Sequence, residues 1–175
     1  MRRILASLIL LGCGDGGTTP PECGVAPDAG SGVATITVGT DVYDYSGFHW
    51  GKNNDCPATG SAVVSVTIRG NQTGKASGLG LCLPRPDLIA SAAIDLGDST
   101  RVQLVGATAV AGACTSTMGP TKPIGTVTFA GFCTEAGTTF AMTLAGQVEG
   151  TKTCGTGPST PVTLVIGGQT LVVAQ

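Results

Sequence analysis

The chain has 175 residues, with Gly 28, Pro 10, 11% charged, 4% aromatic and 42% hydrophobic residues, and a formal net charge of −2. That length suits one domain with a sizeable core, and the shortage of Lys and Arg excludes a basic face for nucleic acid. Low charge with ample apolar residues excludes a wholly disordered chain, and missing Glu/Lys/Leu-rich heptads exclude a coiled coil. Cys 7 in so short a chain points to an oxidising compartment or to metal.

Taken in chain order, Arg2 and Arg3 form a basic start, and Ile4 to Leu11 is a short apolar run. Such a run cannot span about 30 Å of hydrocarbon as a permanent helix, but it suits the apolar core of an export signal. It ends in Leu10-Leu11-Gly12-Cys13, with Leu at −3, Gly at −1 and Cys at +1. This resembles the lipobox of bacterial lipoproteins, over residues 1–13 only. The resemblance implies diacylglycerol on the Cys13 thiol, cleavage before Cys13 and acylation of the new amine. Residues 1–12 are then a signal peptide, and the membrane is a partner through the lipid. Two or three acyl chains anchor firmly. Gly14 after the Cys, in place of Asp, implies outer-membrane sorting by the enterobacterial pattern. The alternative is an ordinary secretory signal and a periplasmic or secreted protein. No cofactor beyond the covalent lipid is expected.

Residues 13–32 combine Gly, Pro, Asp, Thr and Ser with almost nothing to bury, and read as a tether. With Cys13 assigned to lipid, Cys23, Cys56, Cys82, Cys114, Cys133 and Cys154 remain, an even set that suits three disulfides. The expected pairs are Cys114–Cys133 across neighbouring strands, Cys56–Cys82 across the next loop pair, and Cys23–Cys154 by elimination. No Cys-x-x-Cys pair occurs and His49 is the only His, so no metal site is expected.

Residues 33–175 read as a single domain built from short strands. Ala34, Ile36 and Val38 alternate with Thr35 and Thr37. Ala62, Val64, Val66 and Ile68 alternate with polar neighbours, as do Val127 and Phe129, and Phe140, Met142, Leu144 and Val148. Asn71-Gln72-Thr73 reads as a polar turn. The segment from Pro86 to Gly97 admits a capped helix, but its alternation and the following GDST favour a strand. Val162–Ile166, Gly167-Gly168 and Gln169–Val173 read as a hairpin with a two-residue turn, pairing Leu164 with Leu171 and Val162 with Val173. The expected fold is all-β: a disulfide-braced antiparallel β-sandwich, or alternatively a small β-barrel.

The scarce aromatics gather in one stretch, VYDYSGFHWGKNNDC, which holds Tyr43, Tyr45, Phe48, His49 and Trp50 with Asp41, Asp44 and Asp55. A turn at Ser46-Gly47 would set Tyr45 opposite Phe48, Tyr43 opposite Trp50, Asp44 opposite His49 and Asp41 opposite Lys52. That face suits stacking on a sugar ring or on a surface protein, and the bland alternative is that the rings fill the core. The Asp cluster with Asn53 and Asn54 offers hard oxygens to calcium, but its spacing matches no standard loop. Asp44 with His49, joined by a distant acid such as Glu135 or Glu149, is the arrangement a hydrolase would need. No nucleophile elbow, phosphate loop or dinucleotide fingerprint accompanies it, so no catalytic residue is assigned. The expected role is a non-catalytic lipoprotein that binds at the cell envelope or contributes to its structure.

Overall fold

Thr35-Ile-Thr-Val38 alternates polar and apolar side chains and forms strand β1 (Thr35–Val38), with Ile36 and Val38 buried. The computed structural model describes residues 34–44, 48–52, 56, 64–90 and 92–173. A two-residue turn with Gly39 at φ +62° returns the chain as β2 (Asp41–Asp44), which sets Tyr43 opposite Ile36. There follow β3 (Phe48–Lys52), β4 (Val64–Gln72), β5 (Lys75–Leu83), β6 (Ile94–Asp95) and β7 (Gln103–Ala111). Then come β8 (Cys114–Met118), β9 (Ile124–Ala130), β10 (Thr139–Cys154) and β11 (Thr160–Val173). Every pairing is antiparallel, in the order β2-β1-β11-β10-β8-β7-β5-β4-β3, with β9 on β10 and β6 on β9. The protein is thus all-β and antiparallel, a disulfide-braced sheet curled into a half-barrel around its apolar face. Among the described residues no helix is long and apolar enough to cross a membrane.

The spine is β10. One of its edges carries β11 from Thr139↔Val173 to Lys152↔Thr160, while the other is shared end to end by β9 and β8. Its inward residues Phe140, Met142, Leu144 and Val148 are buried against Leu164, Ile166 and Val172 of β11 and Val127 and Phe129 of β9. The rings of Phe129, Phe132 and Phe140 meet at centroid distances of 5.1 to 6.0 Å. Each such side chain, fully buried, contributes roughly 1.5–3 kcal/mol.

The sheet closes where β2 lies across β4 and β5. The Asp44 carbonyl oxygen sits over Gly70 so closely that a Cβ there would come within 1.8 Å of it. The same oxygen accepts a hydrogen bond from Ser77 Oγ at 3.2 Å, and Gln72 Nε2 donates to the Asp44 carboxylate. Lys75 Nζ donates to the Val42 carbonyl at 3.2 Å, stands 3.7 Å from Asp41 and lies 5.1 Å from the Tyr43 ring centre. Lys152 approaches the other Asp41 oxygen at 3.8 Å. Tyr43 is only 2% exposed, and burial, followed by the Asp41 charge, raises its phenol pKa above the ordinary value. Half-exposed ion pairs of this kind are each worth about 0–1 kcal/mol, so burial of Tyr43 and close backbone packing dominate the seam.

Several sequence expectations are corrected. The 41–55 hairpin does not form, because β2 pairs with β1 and β3 pairs with β4, so Tyr43 is not opposite Trp50, nor Asp44 opposite His49. The chain runs straight through Gly167-Gly168, because the long β10 offers β11 a continuous partner; Leu164 faces Val148 and Leu171 faces Ala141. Among the described residues of 86–97, only Ile94–Asp95 is strand, whereas Pro86–Leu88 is a short 3-10 turn beside an Arg85–Asp87 ion pair. Proline at the start of that turn supplies the required φ.

Two disulfides join described residues. Cys56–Cys82 matches its expected pairing, with a Cα separation of 5.4 Å. Cys114 pairs with Cys154, which lies directly opposite it on β10, and not with Cys133; Cys23–Cys154 falls with it. The reason is that β8 and β9 lie end to end along β10, which puts Cys133 a strand length away from Cys114. Cys133 is disulfide-bonded as well, to a partner outside the described residues. Each bridge contributes roughly 3–4 kcal/mol on the chain-entropy model.

The seam makes a direct prediction. Gly70→Ala drives a methyl group into the Asp44 backbone and should lower stability by about 1–3 kcal/mol or more. Gly106→Ala, with nothing within 4 Å of its new Cβ, should leave the thermal midpoint level or slightly higher. Equal midpoints for the two variants would contradict the packing at the seam.

Candidate functional site

Of the rings in the aromatic stretch, only Tyr43 has a described side chain. Tyr43 belongs to the hydrophobic core beneath the seam, and Tyr45, Asn53, Asn54 and Asp55 lie outside the described residues. Phe48, His49 and Trp50 are carried by β3 at the opposite end of the strand order from β2, and their side chains lie outside what the structure describes. Asp41 is shared between two lysines and Asp44 is held by Gln72, so both are occupied within the seam. Glu149 accepts a hydrogen bond from Thr163 Oγ1 at 3.1 Å, and Glu135 is exposed in the β9–β10 connection. Among the described residues no group of three His, Cys, Asp or Glu side chains is placed to hold a metal ion.

What the fold does build is a pocket at the junction of β8 and β9, beside the middle of β10. It lies between the loop leading from β6 to β7 and the loop leading from β8 to β9, and its volume is about 470 Å³. Leu96 and Leu104, both buried, and half-buried Met118 give it an apolar inner wall. Ser99, Gln103 and Thr121 bring polar groups to its lining. A second hollow of about 390 Å³, lined by Asp95 and Ile124 among others, adjoins it, and Lys122 and Pro123 are common to both.

Lys122 is positioned by two local features. Pro120 and Pro123 bracket it and stiffen the loop. Its aliphatic stem crosses Gly97 so closely that a Cβ on that residue would come within 2.0 Å of Lys122 Cε. Glycine at 97 is therefore what lets the lysine lie between the two hollows.

The facing loop is braced from within. The Asp98 carboxylate accepts hydrogen bonds from Thr100 N at 3.1 Å, from the Thr100 hydroxyl and from Arg101 Nε at 2.7 Å. Its backbone carbonyl accepts from Arg101 N at 3.1 Å and Val102 N at 2.8 Å. The Thr100 hydroxyl, and then Arg101, hold the Asp98 carboxyl well down, to about 2. Asp95 Oδ1 accepts from Gly97 N at 2.7 Å. Both carboxylates are thus committed to their own loop. Among the described side chains, Lys75 and Lys152 face Asp41, Arg85 faces Asp87 and Arg101 faces Asp98. Lys122 forms no ion pair there.

Sequence reasoning passed over this site, because its residues come from separate loops and none is chemically rare. The available signal was Pro120-Thr-Lys-Pro123, a lysine fixed between prolines in a chain with few charges. No family model matches the chain, and neither does any curated protein or solved structure.

The Asp98 bracing has a pH signature. A carboxyl group whose pKa is lower folded than unfolded adds stability above its unfolded value of 3.8, and that contribution fades as pH falls from there to about 2. Hydrogen-exchange protection at Thr100 and Val102 should therefore decline across that interval in the wild type. In Asp98→Asn it should be lower at pH 6 and flat below pH 4. Identical profiles for the two proteins would contradict the bracing.

Proposed function

We propose that this chain is a lipid-anchored protein of the cell envelope, attached through Cys13, whose β-domain is a non-catalytic binding module that takes its ligand in the Lys122 pocket. The observation that carries the binding role is the pocket itself: about 470 Å³, set against the roughly 300–1,000 Å³ of small-molecule sites, between two internally braced loops. A glycan platform on residues 41–55 has less support, since Tyr43 is buried and the two strands of that stretch do not pair.

Cysteine pairing supports the anchor. Cys56, Cys82, Cys114 and Cys154 are matched, and Cys133 is bonded. Cys13 and Cys23 are the remaining two of the seven. With Cys13 carrying lipid, Cys23 is the partner of Cys133. Residues 14–22 then form the free leash, with a reach of about 30 Å at ~3.3 Å per residue. The pocket loop precedes β9 and Cys133 follows it, so the length of that strand, roughly 20 Å, separates pocket from leash. The membrane to which Cys13 ties the domain is the outer membrane by the Gly14 sorting pattern.

Radiolabelled palmitate should enter the wild-type protein and not Cys13→Ser, and peptide mapping of the mature protein should recover a Cys23–Cys133 bridge. Equal labelling of the two proteins would overturn the anchor, and a bridge to Cys13 would overturn the leash.

A further inference from the structure

We infer that the Lys122 pocket selects a small monoanionic carboxylate with a compact apolar body, an inference that rests on the pocket being the binding site. The charge argument comes first. Lys122 has no carboxylate partner among the described residues, whereas Lys75, Lys152, Arg85 and Arg101 each have one. Of the neighbouring loop carboxylates, Asp95 accepts from Gly97 N, and Asp98 accepts from Thr100 and Arg101. Lys122 is exposed where the two hollows adjoin, so its ammonium group is open to an anion from solution.

The number of charges narrows the class. A phosphate dianion is typically met by an Arg fork, and no Arg lines the pocket. One lysine, as a point charge, balances one carboxylate. Beside it, Leu96, Leu104 and Met118 offer an aliphatic wall, with no aromatic ring for stacking a sugar or a base. Ser99, Gln103 and Thr121 supply hydrogen-bonding groups between the charged and apolar parts. The volume corresponds to about sixteen water molecules at ~30 Å³ each, which leaves ample room for an acylated amino acid. In the pose this sets, the carboxylate meets Lys122 Nζ, a central amide faces Ser99 and Gln103, and the aliphatic end lies on Leu104 and Met118.

The test uses the full chain carrying Cys13→Ser, with N-acetyl-leucine, its uncharged carboxamide and isobutyl phosphate as probes, followed by NMR of backbone amides. N-acetyl-leucine should shift the amides of Gly97, Ser99, Gln103 and Lys122. The carboxamide should bind at least about tenfold more weakly, and Lys122→Met should weaken the acid by a similar factor. Lys122→Arg should restore binding to within a few-fold. Gly97→Ala, which displaces the lysine stem, should weaken it without lowering the thermal midpoint. If the carboxamide binds as well as the acid, the carboxylate inference fails and the pocket reading stands. Tighter binding of isobutyl phosphate would replace carboxylate by phosphate. Should no probe move the pocket amides, both the inference and the pocket reading fail.

Discussion

The seam at which β2 lies across β4 and β5 closes the sheet on its apolar face. A single antiparallel sheet with one apolar side leaves that side in water unless something covers it. With no helix to pack against it among the described residues, the sheet covers itself by curling. Curling requires the backbones to approach at the closing edge, and Gly70 beneath the Asp44 carbonyl is the position that permits it. Tyr43 then seals the interior from the edge strand, and Lys75 ties β2 to β5 through Asp41, the Val42 carbonyl and the tyrosine ring. Of these contacts the buried ring carries the larger share of the energy, since the ion pairs remain partly open to solvent.

Much of the architecture was legible in the sequence. Period-two alternation located β1, β9 and β10, and with them the buried Ile36, Val127, Phe129 and Phe140. Pairing was less legible, because alternation fixes which side chains share a face and says nothing about which strand lies alongside. Gly167-Gly168 carries a good turn signal, yet β10 is long enough to pair with β11 on both sides of it, and the continuous ladder prevails over the local preference. For Ser46-Gly47 the competing element was β1, whose tight turn at Gly39 captured β2 first in the chain. The cysteines follow the same logic. Cys56–Cys82 spans an adjacent loop and was accessible from spacing, while Cys114–Cys154 depends on β8 lying on β10, a contact between residues 40 apart.

The candidate site was the least legible part. Aromatic clustering drew attention to residues 41–55, and Tyr43, the ring of that stretch whose side chain is described, is core. In a chain with so few large side chains the interior claims them, while the rings of Phe129, Phe132 and Phe140 fill it elsewhere. The pocket has no such compositional mark. It exists because two loops meet where β8 gives way to β9 along β10, one braced by Asp98 and the other stiffened by prolines, and because Gly97 lets Lys122 lie between them. Lys75, Arg85, Arg101 and Lys152 each face a carboxylate, whereas Lys122 has no such partner among the described residues.

The closure of the sheet is the claim from which the position of every loop follows, and through-space contacts in solution test it most directly. In NOE spectra of the isotopically labelled protein, the Tyr43 ring should contact the Lys75 side chain, and Asp44 should contact Gly70 and Ser77. A ladder of contacts between residues 41–44 and 49–52, with none from β2 to β4 or β5, would mean that the stretch folds as its own hairpin and that the sheet is not closed in this way.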